Sequence, residues 1–388
     1  MKQLTFFILA IGFTISLTGQ NLEDLDFGTD NTLDVVTWNI EWFPKEGQTT
    51  IEYVTEILQA MEADVIAVQE IDQYADFVEM MDGLEDWEGI STNTGYLNLA
   101  YIYNPEFVEM TSIYQILPGY SRELPRKPLV MEMIFQGNDY ILINNHLKCC
   151  GDGYLDISDP WDEETRRYDA CMLIEEYIRE NFPDDNVILL GDLNDLLNDS
   201  ESNNVFQVFF NDPSSYHFTD IGIAEGSSAD CSYPSLPSHL DNIMITNELF
   251  DDFENDDAEI LTIKIDDYLE NGFWEYEQFV SDHRPVGLKI KPVQGSANIL
   301  TPNLQARLDI YPNPASGLVN INFETAGANS QLMITTLSGR NLKTIPIAKG
   351  ETAATLNSLE IPDGIYFVRL VSGKDLLAVE KLVIKSGK

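Results

Sequence analysis

The sequence predicts an α/β domain built on mixed sheets, followed by a small all-β sandwich. Three observations carry this. The chain opens with an alternating strand–helix–strand pattern. Several later strands then follow one another with no helix between them, which argues against a doubly wound parallel sheet. Near residue 300 the composition changes: of 388 residues, the 84 from 305 onward hold 9 Lys/Arg and 7 Asp/Glu, whereas residues 1–304 hold 13 and 58. The expected division is a leader at 1–20, a first domain at 21–292, a linker at 293–304 and a second domain at 305–388.

The leader is read from Lys2, an apolar run over Leu4–Leu17 and the small residues of Thr18-Gly19-Gln20, the pattern of a cleaved signal peptide. No later stretch approaches 18 apolar residues, so no membrane insertion is expected. Asp34–Ile40 is β-rich and apolar and reads as a buried strand. Thr49–Met61 places Ile51, Val54, Ile57, Leu58 and Met61 on one stripe and reads as a helix. Asp64–Gln69 is the next strand. Further strands are expected at 99–103, 129–135, 140–145, 187–190, 242–245 and 286–290, and a helix at 165–181 with Cys171, Ile174 and Ile178 on one face. The stretch 291–304 has linker composition. Beyond it lie short strands punctuated by Pro312-Asn313-Pro314, Ser338-Gly339 and Pro362-Asp363-Gly364, a sandwich pattern.

A formal net charge of -43 excludes a broad basic face for nucleic acid or a membrane surface. A phosphate-binding site would have to be a local pocket in which a metal cation supplies positive charge. Four cysteines, Cys149, Cys150, Cys171 and Cys231, in an exported chain suggest two disulfides, with Cys149 and Cys150 joined to Cys171 and Cys231 in either order. A zinc site is the alternative, disfavoured by the spacing.

Polar residues recur where the apolar runs end. In chain order these are Asn39-Ile40-Glu41, Gln69-Glu70, Asn145-His146, Gly191-Asp192-Leu193-Asn194, His239-Leu240-Asp241-Asn242 and Ser281-Asp282-His283. Strand ends at a sheet rim are where α/β enzymes place reactive groups. Taken singly each is more often a cap or a turn; six in order carry the weight. Carboxylates and amide oxygens suit Mg²⁺, Mn²⁺ or Ca²⁺. A metal-bound phosphodiester hydrolase needs an attacking water, a base for it, charge on the phosphate oxygens and an acid for the leaving oxygen, and the set offers a candidate for each.

The segments TWNIEWF, AVQEI, RKPLVM, INNHLK, LLGDLND, SHLDNIMIT and SDHRPV, spread over residues 33–290, resemble the endonuclease/exonuclease/phosphatase, or deoxyribonuclease I-like, superfamily. The resemblance implies a four-layer α/β sandwich of two mixed sheets flanked by helices. It implies Glu70 as the main metal ligand with Glu41, Asn39 and Asp282 beside it, His283 and Asp241 as a His–Asp pair that activates water or stabilises the phosphorane, and Asp192 holding or deprotonating the attacking water. Asn194 is implied to bind a phosphate oxygen, and His146 to protonate the leaving oxygen or stabilise charge on the phosphate. The implied cofactor is Mg²⁺ or Mn²⁺, with Ca²⁺ as a structural ion. Arg122, Arg126, Lys127, Lys148, Arg166, Arg167 and Arg284 lie in or beside these segments and read as a positive rim, with Arg122, Arg126, Lys148 and Arg284 as substrate contacts.

The second domain carries YPNPA, LSGR, PDGIYFVR and a closing EKLVIK, which together resemble the C-terminal sorting domain of type IX secretion substrates. An adhesive or carbohydrate-binding sandwich is the alternative, but the domain has no Trp. The implied protein is a monomer, secreted or displayed at the cell surface, whose partners are the type IX machinery and a nucleic-acid substrate. Two other readings are a hydrolase of small organophosphates or phospholipid headgroups, and an inactive binding protein. A pure binder has no use for the His–Asp pair.

Overall fold

A computed structural model describes residues 21–25, 27–292, 307–323, 330–336, 341–362, 364–372 and 375–385. The expected leader at 1–20 and linker at 293–304 lie outside the described residues. The chain divides into two compact units, Met1–Val293 and Gln294–Lys388.

The strands of the first unit are β1 (Leu33–Phe43), β2 (Val65–Ile71), β3 (Glu88–Ser91), β4 (Asn98–Tyr103), β5 (Val108–Gln115), β6 (Leu129–Phe135), β7 (Asn138–His146), β8 (Val187–Asp192), β9 (Tyr216–Phe218), β10 (Asp241–Thr246), β11 (Glu259–Thr262) and β12 (Val286–Ile290). Its main helices are α1 (Gln48–Met61), α2 (Tyr74–Asp82) and α3 (Glu163–Asn181). Two six-stranded sheets form, in the orders β11-β12-β1-β2-β4-β3 and β5-β6-β7-β8-β10-β9. Each sheet is mixed, with one parallel pair near its centre: β1 with β2, and β7 with β8.

Side-chain alternation makes the layers. Val35, Val65, Tyr101, Met131, Leu142, Leu190, Ile243 and Leu288 fill the core between the two sheets. Their neighbours point the other way. Val36, Trp38 and Ile66 meet Val54, Ile57 and Leu58 of α1, while Val130, Ile143, Val187 and Leu189 meet Ala170, Cys171, Ile174 and Ile178 of α3. Strands buried on both faces become near-continuous apolar runs, which is why these central strands stand out in the sequence. The result is helix, sheet, sheet, helix, the expected four layers. Asp162 caps α3, accepting the Thr165 amide at 2.8 Å, and Glu163 and Glu164 occupy the first turn, where the helix dipole favours acidic groups.

The expected cysteine bridges are absent. All four residues are free thiols. Cys171 sits on the inner face of α3, where burial pushes its thiol up, and Cys150 Sγ lies 2.9 Å from Cys149 Sγ. Cys171 packs in the apolar core beneath α3.

The second unit has two antiparallel sheets, formed by β13 (Leu308–Tyr311), β14 (Leu318–Phe323) and β17 (Ala353–Asn357), and by β16 (Asn341–Ile347), β15 (Ser330–Thr335), β18 (Gly364–Ser372) and β19 (Asp375–Ile384). Val319, Ile321, Leu332, Ile334, Val368, Leu370 and Leu382 make one core. Asn313 of the YPNPA segment pins its turn to β19, donating to the Lys381 carbonyl at 2.6 Å and accepting from the Val383 amide at 2.8 Å.

Candidate active site

The polar residues that end the apolar runs converge where the two parallel pairs finish. Asn39 lies opposite Gln69 across β1 and β2. Asp192 lies opposite both His146 on β7 and Asp241 on β10. The register of β1 against β2 shifts between Asn39 and Phe43, and that of β2 against β4 between Val68 and Ile71. Glu41, Trp42, Glu70 and Asn194 have φ of 34°, 50°, 68° and 56°. Left-handed backbone at non-glycine residues is costly and clusters at functional sites. Four of the nine such residues among those described lie in or beside the converging set.

Asn39 ties the sheets together. Its Nδ2 donates to Glu70 Oε1 at 3.2 Å and to Asp192 Oδ2 at 2.9 Å, and its Oδ1 accepts the Glu41 amide at 3.0 Å. Asn39 thus presents a donor to the carboxylates and not a free ligand oxygen. His146 Nε2 lies 3.6 Å from both Glu70 Oε1 and Asp192 Oδ2. Glu70 Oε2 accepts the Trp42 amide at 3.1 Å. Glu41 Oε2 pairs with Lys45 and accepts the Asp282 amide at 3.0 Å.

His283 is held on three sides. Its Nδ1 is 2.7 Å from Asp241 Oδ2, its amide donates to Ser281 Oγ at 2.9 Å, and its carbonyl accepts from Tyr276 Oη at 2.6 Å. Ser281 Oγ in turn donates to the Asn39 carbonyl at 2.7 Å, and Trp38 Nε1 donates to Tyr276 Oη at 2.9 Å. The core of the first sheet therefore sets the position of the histidine. The Tyr233 ring lies 4.8 Å from the imidazole, centroid to centroid. Asn194 donates its amide to Asp192 Oδ1 at 3.1 Å and its Nδ2 to the Leu147 carbonyl at 3.4 Å.

Charge in the cleft follows from burial and crowding. Burial raises the Asp192 carboxyl to about 7, with Asp241 and Glu70 adding to the rise, and it also raises Glu70. Burial would lower His283, but Asp241, Asp192 and Asp282 hold it at about 10, a charged imidazolium. Burial, with Arg126 and His283 adding, pushes His146 well below its usual value, so it is neutral. Burial raises Asp282 to about 6, with Glu41 and Glu70 contributing. Ligand atoms of Glu70, His146 and Asp192 lie within 4.8 Å of one another, as do those of Asp192, Asp241 and His283. Glu41 and Glu70 crowd Asp282 with like charge, and a hard divalent cation fits that donor set.

Only part of the expected positive rim faces the cleft. Arg126 donates to the carbonyls of His146 and Leu147 at 3.1 and 2.7 Å, and its charge is felt by Asp192 and Glu70. Lys148 Nζ donates to the Cys149 carbonyl at 2.7 Å and lies 3.8 Å from Glu163. Arg122 is held by Glu123 and Asp169 at 2.6 and 2.5 Å. Arg284 is a correction: it is buried, clamps Asp266 through Nε and Nη2 at 2.8 and 2.5 Å, and stacks over Phe273. A guanidinium spent on a buried carboxylate has no fork left for a phosphate. Arg167 is likewise buried, against Glu164 and Asp195.

Behind the reacting groups stand supports to which the sequence pattern assigns no role. Gln69 and Asn144 bridge the two sheets through a 2.8 Å hydrogen bond, and Asn144 Nδ2 donates to the Val68 and Ala100 carbonyls. Gln69 stands inside the AVQEI segment and Asn144 inside INNHLK, so a buried amide within an apolar run was the available signal. His239, in SHLDN, pairs with Asp220 at 2.8 Å in the interior.

Residues 36–283 match the model of the Endonuclease/Exonuclease/phosphatase family, and residues 309–385 match that of the Secretion system C-terminal sorting domain. No curated protein matches the chain. Among solved structures, D. rerio TDP2 complexed with a single-strand DNA product is similar at 16% identity and TM-score 0.50, covering 67% of this chain and 99% of its own. TDP2 from C. elegans is similar at 16% identity and TM-score 0.50, covering 68% of this chain and 77% of its own. At such identities the likeness is one of fold.

Proposed function

The chain belongs to the endonuclease/exonuclease/phosphatase family, and on that premise we propose that it is a divalent-metal-dependent phosphodiester hydrolase that cleaves DNA or RNA outside the cell. The reaction class, phosphoric ester hydrolysis, follows from the family. The C-terminal sorting domain indicates secretion or display at the cell surface through the type IX machinery. The metal, the substrate and the roles of the residues are the proposal. The observation that carries it is the meeting, at the ends of the two parallel strand pairs, of a buried His–Asp pair with Asp192, His146 and Glu70.

Glu70, with Glu41 and Asp282, would hold Mg²⁺ or Mn²⁺, which when bound supplies positive charge to the phosphate oxygens. Asn39 fixes the Glu70 and Asp192 carboxylates in place through its two donor bonds. Asp192 orients the attacking water and takes its proton, a task suited to a carboxyl raised to about 7. His283, kept cationic by Asp241, stabilises the negative charge that grows on phosphorus-bound oxygen, and its Nε2 holds a proton for the leaving oxygen. Neutral His146 and the Asn194 amide orient the phosphate. The two histidines thus take different charge states from one cleft.

A second reading, a hydrolase of small phosphodiesters or phospholipid headgroups, is favoured by the ion pairing of Arg122, Arg167 and Arg284. Binding a polyanion draws on many free cations, and this rim has few. Parallel metal-titrated assays on plasmid DNA, RNA and bis-p-nitrophenyl phosphate separate the readings. Cleavage of the small diester alone would overturn the nuclease, and no metal-dependent cleavage of any of the three would overturn both.

A further inference from the structure

We propose that Asp152, Asp162 and Glu164 form a calcium site in the loop between β7 and α3, separate from the catalytic cleft. One ligand oxygen from each lies within 4.8 Å of the others. Glu164 is only 2% exposed, and its Oε2 has no hydrogen-bond partner. Its other oxygen is used: Oε1 accepts the Gly153 amide at 2.8 Å and lies 3.1 Å from Arg167 Nη2. A buried carboxylate oxygen without a donor is costly unless a cation meets it.

The backbone is shaped around that carboxylate. A Cβ on Gly151, whose φ is +114°, would stand 2.2 and 2.5 Å from the Glu164 carboxylate oxygens. No larger residue fits the pass that brings Asp152 over Glu164. Asp152 Oδ1 accepts the Tyr154 amide at 3.0 Å, and Asp162 Oδ2 accepts from Thr165 and Asp156 at 2.8 and 3.3 Å, which fixes both carboxylates.

Arg167 does not neutralise the group. Its Nε pairs with Asp195 at 2.7 Å and its Nη1 donates to the Lys148 and Cys150 carbonyls at 2.7 and 2.8 Å. Arg167 pairs with Glu164 and Asp195, and no cationic side chain pairs with Asp152 or Asp162 among the described residues. All the offered ligands are carboxylate oxygens, which select a hard cation, and a loop site with room for further oxygens suits Ca²⁺ better than Mg²⁺. The loop leaves β7 a few residues after His146, so an ion here would fasten the wall of the cleft.

Terbium, a luminescent stand-in for Ca²⁺, reads the site directly because Trp161 adjoins Asp162 and can sensitise it. The full chain, stripped with chelator, is titrated with Tb³⁺ and then with Ca²⁺. Wild type should give Tb³⁺ emission that Ca²⁺ displaces, and Ca²⁺ should slow proteolysis within 149–162. Asp152→Asn, on an exposed side chain, should weaken binding at least ~10-fold, the usual consequence of losing a ligand charge. Asp152→Asn with Asp162→Asn should abolish it, while the helix persists because Asn also caps. Glu70→Gln should leave intact the part of the emission that depends on Asp152 and Asp162. Emission unchanged in both loop variants, or lost in Glu70→Gln alone, overturns the site, as does proteolysis that is indifferent to Ca²⁺.

Discussion

At the scale of single residues, the proposed reading separates groups that would hold a metal from groups that would act on the reacting atoms. Glu70→Gln keeps size but removes a ligand charge, so its activity should demand far more Mg²⁺ or Mn²⁺ and partly return when that is supplied. His283→Ala should lose turnover by ~10²–10⁴-fold and ignore added metal. Activity measured against metal concentration for both variants checks the division; rescue of His283→Ala alone would reverse the roles. A second buried carboxylate lies at the other end of the strands. Burial raises Asp64 to about 7, with Asp34 nearby adding, while Asp64 Oδ2 accepts the Asp34 amide at 2.9 Å. A carboxyl raised in the folded state binds more protons there than in the unfolded chain, so its stability contribution falls as pH rises from about 4 to 7. Asp64→Asn keeps the acceptor and drops the charge. At pH 8 it should stabilise by on the order of 2–4 kcal/mol, and near pH 4 the gain should vanish. Thermal unfolding at the two pH values reads this, and an equal effect at both would contradict it.

Among elements, the junction of β7 and β8 is closely constrained. Gly191, with φ +144°, would place a Cβ 2.0 Å from the Asn145 carbonyl oxygen, and it directly precedes Asp192. Gly191→Ala must part the two strands that set His146 opposite Asp192, so it should cost about 3 kcal/mol or more and most of the activity. Gly119→Ala, which meets nothing within 4 Å, serves as the neutral control in the same urea unfolding series. The same packing decides what the sequence discloses. Strands β6 and β12 were legible to the residue because burial on both faces makes them predominantly apolar. By contrast, β3, β9 and β11 are short edge strands, and β5 alternates with exposed Glu109 and Thr111, so none of them carries such a run. The polar groups that converge in the cleft were legible as a set because each interrupts or borders an apolar run. The fate of Arg284 was not, because its partner Asp266 lies in a separate turn with no pattern linking the two. Thiol pairing likewise depends on placement that spacing alone does not encode.

For the whole molecule, the division of labour follows the division of charge. All the converging residues lie in the unit that ends at Val293, while the second unit matches a sorting domain over 309–385. A chain ending after residue 292 should keep wild-type kcat/KM on whichever ester the full chain cleaves and lose export. Loss of activity in a truncated chain with an intact far-ultraviolet spectrum would give the second unit a catalytic part. One further consequence comes from the pairing of β1 with β12, in which Leu33 faces Ile290. Within the first unit, the first strand made and the last strand made are neighbours, with β2 on the other flank of β1. Synthesis at roughly 5–20 residues per second leaves β1 waiting about ten seconds or longer for its antiparallel partner. Ladders between such distant segments also form slowly. Until then the nascent chain has an unsealed seam and no finished sandwich. The order of strands in one sheet thereby sets a delay between translation and completion of the sandwich.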